Sequence, residues 1–207
     1  MTPWPPDVTL DGEHARLELL SPLHGAALAE AARDGELWKL WFTSVPAPED
    51  MAGEIERRLA LRDQGSMLPF AVIEAATGRP VGMTTYMNID AANRRLEIGS
   101  TWYRATAQRT AINTECKLLL LGHAFEILEC IAVEFRTHFF NHASRRAIER
   151  LGAKLDGVLR SHQVGRAGEL RDTCVYSILA SEWPAARRNL EWRLDDGIDA
   201  PQPDGAI

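Results

Sequence analysis

Apolar and polar positions change period several times along the chain, and each change predicts an element. Ala15 to Leu20 (ARLELL) alternates and predicts a first strand. Ser21-Pro22 predicts a helix start, with serine as N-cap and proline at the first helical position. Ala26, Ala27, Leu28, Ala31 and Ala32 carry that helix to Gly35. Pro48-Glu49-Asp50 opens a second helix to about Gln64, with Met51, Ile55 and Leu59 on one face. Phe70 to Ala75 and Val81 to Ile89 predict a hairpin around Thr77-Gly78. Asp90 to Asn93 turns into a strand at Leu96 to Tyr103. From about Ala111 to Leu128 the apolar residues follow helical spacing and nearly surround the axis, which predicts a buried helix. Ile131 to Thr137 (IAVEFRT) alternates again, with Ile131, Val133 and Phe135 on one side. Asn141 then caps a helix that stops at Gly152. Two strands, about Lys154 to Gln163 and Leu170 to Leu179, precede a short helix from Ser181 to Leu194. Residues 1–8 are expected to form an extended, proline-rich arm, and 195–207 a disordered tail.

This order predicts an α/β (α+β) fold: a mixed, mostly antiparallel sheet with helices on both faces. The strand after the long helix lies parallel to Leu96–Tyr103, because a helix intervenes between them. Two such parallel strands in mid-sheet splay at their C-terminal ends, and a ligand enters the crevice between them. Neither a linker nor an internal repeat divides the chain, so residues 1–194 are expected to form one domain.

Composition narrows the function. Hydrophobic residues are 45% of 207, enough for a sizeable core. A net charge of -6 argues against long-range attraction to nucleic acid, so any phosphate must be held by local groups. Cys116, Cys130 and Cys174 are widely spaced, which disfavours a disulfide framework or a metal site and fits a reducing cytoplasm. Cys116 is expected in the core rather than as a reactive thiolate. No signal peptide or membrane span is expected.

The most informative stretch is RRLEIGSTWYRATAQRTAINTECKLLLL, Arg94 to Leu121. A strand passes through a basic turn into a buried helix, which gathers free N–H groups and a positive dipole end at one point. That combination cradles a phosphate or diphosphate. With the following helix, strand and second helix in order, the stretch resembles the cofactor segment of the GNAT superfamily of acyl-CoA N-acyltransferases. The branch it resembles most is that of the ribosomal-protein alanine acetyltransferases. The family's Gln/Arg-x-x-Gly-x-Gly/Ala signature matches at Gln108-Arg109-Thr110-Ala111-Ile112-Asn113, with Ala111 and Asn113 replacing the small residues.

The resemblance implies acetyl-CoA as cofactor and a primary amine as acceptor, and a homodimer as in many relatives. It places Trp102, Tyr103, Arg104, Gln108, Arg109, Thr110, Ala111, Ile112, Asn113, Asn141 and Ser144 on the cofactor. Arg104 and Arg109 would meet phosphates and Asn141 the pantetheine arm. It makes Glu97 the candidate base; the bland alternative is a strand glutamate paired with Arg94 or Arg95. Ser144 is the candidate acid, because Ile148 stands where many relatives carry a tyrosine; its other reading is a first-turn helix serine. Trp38, Trp41 and Phe42 would line the acceptor groove or pack as a core stripe. Arg160, His162, Arg171 and Asp172 would face the acceptor from the last hairpin or form a solvated edge. A non-catalytic CoA-binding module remains the competing function, motivated by residues 111, 113 and 148.

Overall fold

The computed structural model describes residues 4–165 and 167–195. The expected tail, apart from Asp195, and the first three residues of the expected arm lie outside the described residues. The elements in order are β1 (Leu10–Asp11), β2 (Ala15–Leu19), α1 (Gly25–Arg33), α2 (Met51–Asp63), β3 (Met67–Glu74), β4 (Arg79–Asp90) and β5 (Arg95–Tyr103). There follow α3 (Ala111–Gly122), β6 (Ala132–His138), α4 (His142–Arg150), β7 (Lys154–Val164), β8 (Leu170–Leu179) and α5 (Trp183–Asp195). They form one eight-stranded sheet in the order β1-β2-β3-β4-β5-β6-β8-β7. Every neighbouring pair is antiparallel except β5 and β6. The expected mixed sheet with a central parallel pair is what the chain forms.

Each face carries its own apolar cluster. One gathers Tyr86, Leu96, Ile98, Tyr103 and Val133 of the sheet with Ile112, Cys116 and Leu120 of α3, Ile148 of α4 and Leu190 of α5. The other gathers Ala71, Ile73, Met83 and Trp102 with Leu28 of α1 and Met51 and Ile55 of α2. Alternation along the strands produces this division, since successive side chains leave opposite faces.

Several boundaries depart from the sequence pattern. Ser21-Pro22 opens one tight turn, Pro22–His24, before α1 proper begins. The helix expected to Leu128 leaves α geometry at Gly122 and continues as a wider turn, His123–Ile127. Ile131 lies outside β6 and is exposed, so Val133, Phe135 and Thr137 form the inward row instead. The arm does not stand free: Trp4 and Val8 pack on the larger cluster.

The parallel pair is short. Arg95, Leu96 and Glu97 pair with Ala132, Val133 and Glu134, and pairing stops there. Beyond that point β5 runs on to Tyr103 and β6 to His138 without pairing to each other. The two strands fork, and peptide groups on the inner edge of each have no ladder partner in that register.

Candidate active site

Glu97 stands at the base of the fork, in the last pair of the ladder opposite Glu134. It leaves the sheet on the face opposite Leu96 and Ile98, as the alternation requires, and it is only 4% exposed. Its Oε2 accepts from Asn88 Nδ2 at 2.6 Å and lies 3.6 Å from Arg136 Nε. Arg95 pairs with Glu134 instead, and Arg94 with Glu129, so neither partner of the bland reading reaches Glu97. Burial raises the Glu97 pKa, while Asn88 and the Arg136 charge oppose that shift. The carboxylate folds back close over Gly99. A methyl group there would come within 2.7 Å of Glu97 Oε1 and 2.8 Å of Met87 Sδ.

The same face continues along β6 and β8 through Arg136, His138, Thr173 and Arg171. Burial lowers the His138 pKa, with the nearby Arg171 charge adding to the effect. His138 Nδ1 accepts from the Phe140 N–H at 3.0 Å, which leaves the proton on Nε2. Among the described residues that Nε2 is buried without a partner, as are Arg171 Nε close by and Trp102 Nε1 in the α1–α2 cluster. Buried donors are seldom left unsatisfied in a folded protein, so the His138–Arg171 pair suits another molecule's acceptors. Trp41 stacks edge-on over His138 at 4.9 Å and lies 5.9 Å from Phe140, giving this face an aromatic border. His162 reaches the margin through Thr173 Oγ1 at 3.1 Å. Trp38 points elsewhere, into a concavity at the start of α2 with Ser44, Asp50 and Arg57. The expected Trp38–Trp41 pair is therefore divided between two places.

The open end of the fork carries the cofactor candidates. Arg109 adopts φ +60, and its exposed side chain has no hydrogen bond or ion pair among the described residues. Thr110 caps α3, its hydroxyl accepting from the Ile112 N–H. Ala111 and Asn113 occupy the first turn, where amides have no acceptor within the helix. Across the fork Asn141 caps α4, its Oδ1 accepting from the Ser144 N–H at 3.0 Å. Both helices start at the C-terminal ends of the parallel pair, so their positive ends converge on one crevice. Arg104 is held on one edge: its Nε donates to Asp34 Oδ2 at 2.9 Å. Gln108 Nε2 donates to the Tyr103 carbonyl, and the Tyr103 hydroxyl turns into the core beside the Cys116 thiol. Ile148 is buried in the core and offers no proton to the crevice.

Some groups escaped sequence reasoning. Asp34 holds Arg104 and both donors of Thr106. Glu115 accepts from the Glu13, His14 and Ala15 N–H groups at 2.8, 2.7 and 2.6 Å. Arg58 and Lys117 are buried cations. His138 was accessible in principle, as the last strand residue before the Asn141 cap and in phase with Glu97.

A cationic loop at one helix start, an asparagine cap at another and a buried carboxylate at a strand fork fit an acyl-carrier-dependent transferase. The family model described as an acetyltransferase (GNAT) domain matches residues 15–154, and the chain belongs to that family. Its members are acetyl-CoA-dependent N-acetyltransferases. The chain is 29% identical over 175 residues to YdaF of Bacillus subtilis (strain 168), covering 83% of this chain and 94% of that one. The name of that relative proposes a ribosomal N-acetyltransferase. It is similar to the crystal structure of a GCN5-related N-acetyltransferase from Brucella melitensis, with TM-score 0.82, 31% identity and coverage of 94% and 89%. The fold also matches Mycobacterium smegmatis RimJ, solved with CoA-disulfide, with TM-score 0.77, 22% identity and coverage of 93% and 97%.

Proposed function

We propose that this protein moves the acetyl group of acetyl-CoA to a primary amine by direct attack within a ternary complex. Acceptors of the right class are a protein N-terminus, a peptide or amino acid, or a small aminated metabolite. In the transfer a C–N bond forms, the thioester C–S bond breaks, one amine proton leaves to a base and the departing sulfur takes a proton. Glu97 is the base, directly or through water. A buried carboxylate whose pKa burial lifts above its ordinary value is a stronger proton acceptor than a free one, which suits proton uptake from an amine. Ser144 would supply the proton for the departing sulfur. Arg109 and the first-turn amides of α3 would hold the diphosphate, and Asn141 the pantetheine arm. The acceptor enters on the Glu97 face, between Trp41, His138, Arg171 and His162.

The observation that carries this reading is the position of Glu97, buried at the point where β5 and β6 part. The test follows thiol release from acetyl-CoA over a panel of amines. No release with any amine, despite CoA binding, defeats it. The buried Ile148 favours a second reading, a CoA-binding module without turnover. Glu97→Gln and Ser144→Ala separate the two, since only an enzyme loses turnover while keeping CoA affinity.

Residues 1–194 act as one catalytic domain in this reading, within a reducing cytoplasm; the eight-stranded sheet and the three free cysteines support it. Among the described residues no helix is long and apolar enough to cross a membrane. β7 is an edge strand with Leu155, Val158, Leu159 and Val164 exposed, which supports pairing with a second copy. Light scattering across a concentration series tests that dimer.

A further inference from the structure

Two buried cations close on the same irregular segment of β5 from opposite faces of the sheet. Pairing of β4 with β5 shifts register between Met83 and Thr85, and Ser100 adopts φ +47. From the α2 side comes Arg58, only 2% exposed. Its Nε donates to Glu54 Oε1 at 2.7 Å and NH1 to Thr85 Oγ1 at 2.7 Å, while NH2 faces the Ser100 carbonyl at 3.5 Å. From the α3 side comes Lys117, buried. Its Nζ donates to Thr101 Oγ1 at 2.9 Å and to Thr84 Oγ1 at 3.4 Å. The two threonine hydroxyls lie 2.8 Å apart, and Thr101 Oγ1 also reaches the Gly99 carbonyl at 3.4 Å.

Neither cation is explained by packing. Glu54 offsets the Arg58 charge, but Lys117 has no ion pair among the described residues. Burial brings the Lys117 ammonium down to about 8, so it still carries its charge at neutral pH. An apolar side chain of similar length would fill the same space without that desolvation cost. The segment they grip starts two residues past Glu97, at the fork. A pantetheine arm reaching along β5 from the diphosphate loop toward Glu97 would end beside it.

We propose that Arg58 and Lys117 are positioning residues for acetyl transfer: together they fix the Gly99–Thr101 bulge against the thioester and keep positive charge behind it. The inference rests on the transferase reading. Oxygen at the transferred carbonyl gains negative charge during the reaction, and fixed positive charge near it lowers the barrier. Arg58, facing the Ser100 carbonyl, polarises the Ser100–Thr101 peptide, and Lys117 holds the next side chain.

The test compares wild type with Lys117→Met, Lys117→Arg and Thr101→Val. Each is measured for kcat, KM for acetyl-CoA, melting temperature and amide hydrogen exchange over residues 98–102. Lys117→Met is expected to lose about tenfold or more in kcat while KM stays within about twofold, the signature of an interaction made during reaction. Its melting temperature is not lowered, and exchange over 98–102 is faster. Lys117→Arg recovers most of kcat, and Thr101→Val, which cuts the contact without emptying space, shares the kcat loss and the faster exchange while its melting temperature falls, because the buried ammonium loses its acceptor. Wild-type turnover with an unchanged Lys117→Met overturns the proposal, as does a kcat loss tracking a lowered melting temperature with unaltered exchange. Should Lys117→Met fail to fold, Thr101→Val decides by the same readouts. A wild type that releases no thiol with any amine defeats the transferase reading instead, while the exchange comparison still reports whether the clamp holds the bulge.

Discussion

Asp34 holds Arg104 by a 2.9 Å hydrogen bond and ion pair, and so joins the end of α1 to the turn before α3. The same Oδ2 takes the Thr106 hydroxyl at 2.7 Å and the Thr106 N–H at 3.2 Å, while the Asp34 carbonyl accepts from Ala105. Those bonds to Thr106 first, and then Arg104, hold the Asp34 carboxyl below its usual range. Arg104 and Asp34 thus together shape the loop proposed to grip the diphosphate. Asp34→Ala is expected to raise KM for acetyl-CoA by about fivefold, with kcat within about twofold, because the loop loses its anchor and not its chemistry. Steady-state kinetics at saturating amine check this.

Glu97→Gln is expected to cut turnover by about a hundredfold, the ordinary yield of a positioned base, with CoA affinity unchanged by calorimetry. The pH dependence has a definite sign. Burial raises the folded-state pKa above the ordinary 4.5, so activity falls with acid at a higher pH than a free carboxylate would dictate. Stability from this group is present below the unfolded pKa and is lost as pH rises through the folded one. At neutral pH Glu97→Gln therefore melts at the same temperature or higher, and the gap closes in acid.

Lys117 has the complementary sign. Its pKa is depressed to about 8 from 10.5, so the charged form costs the folded state up to about 3 kcal/mol at neutral pH. That cost fades as pH rises from about 8 to 10.5, where the unfolded chain still binds the proton. The groups facing it are the Cys116 thiol, with Tyr103 beside that thiol, and the hydroxyls of Thr84 and Thr101. After the loss of two hydrogen bonds, Lys117→Met is expected to gain about 1–2 kcal/mol at pH 7, and less at pH 10, in denaturant titrations.

Burial pushes the Cys116 thiol up to about 12 and the Cys130 thiol up to about 11, and raises Cys174 also. Thiolate is the reactive form, so the native protein should be nearly inert to an aromatic disulfide reagent at pH 8. Unfolding should release three reactive thiols, matching the three free cysteines. Thiol-release assays then carry no background from the protein itself.

The strand fork was legible because a helix separates the run Leu96–Tyr103 from the run IAVEFRT, and a helical crossover between neighbouring strands usually leaves them parallel. The asparagine cap at 141 and the Gln108–Asn113 turn were legible for the same local reason. What escaped, Glu97 apart, was the charge placed inside. Within AINTECKLLLL, Glu115 and Lys117 look like ordinary polar positions on a helix, yet both are buried. Glu115 ends in a nest of three N–H groups a hundred residues away, where Gly12 leaves room for its carboxylate. Arg58 likewise sits in a charged helix and turns inward to Thr85. Periodicity reports which face is apolar; it does not report a lone charge whose partner comes from another element. Ile131 was misplaced for the opposite reason, since alternation continues one residue past the end of the ladder.

A methyl group at 99 would press on two side-chain ends at once, the Glu97 carboxylate and the Met87 thioether. Alanine there would therefore be felt first as a displaced carboxylate at the fork, before any change in the strand itself.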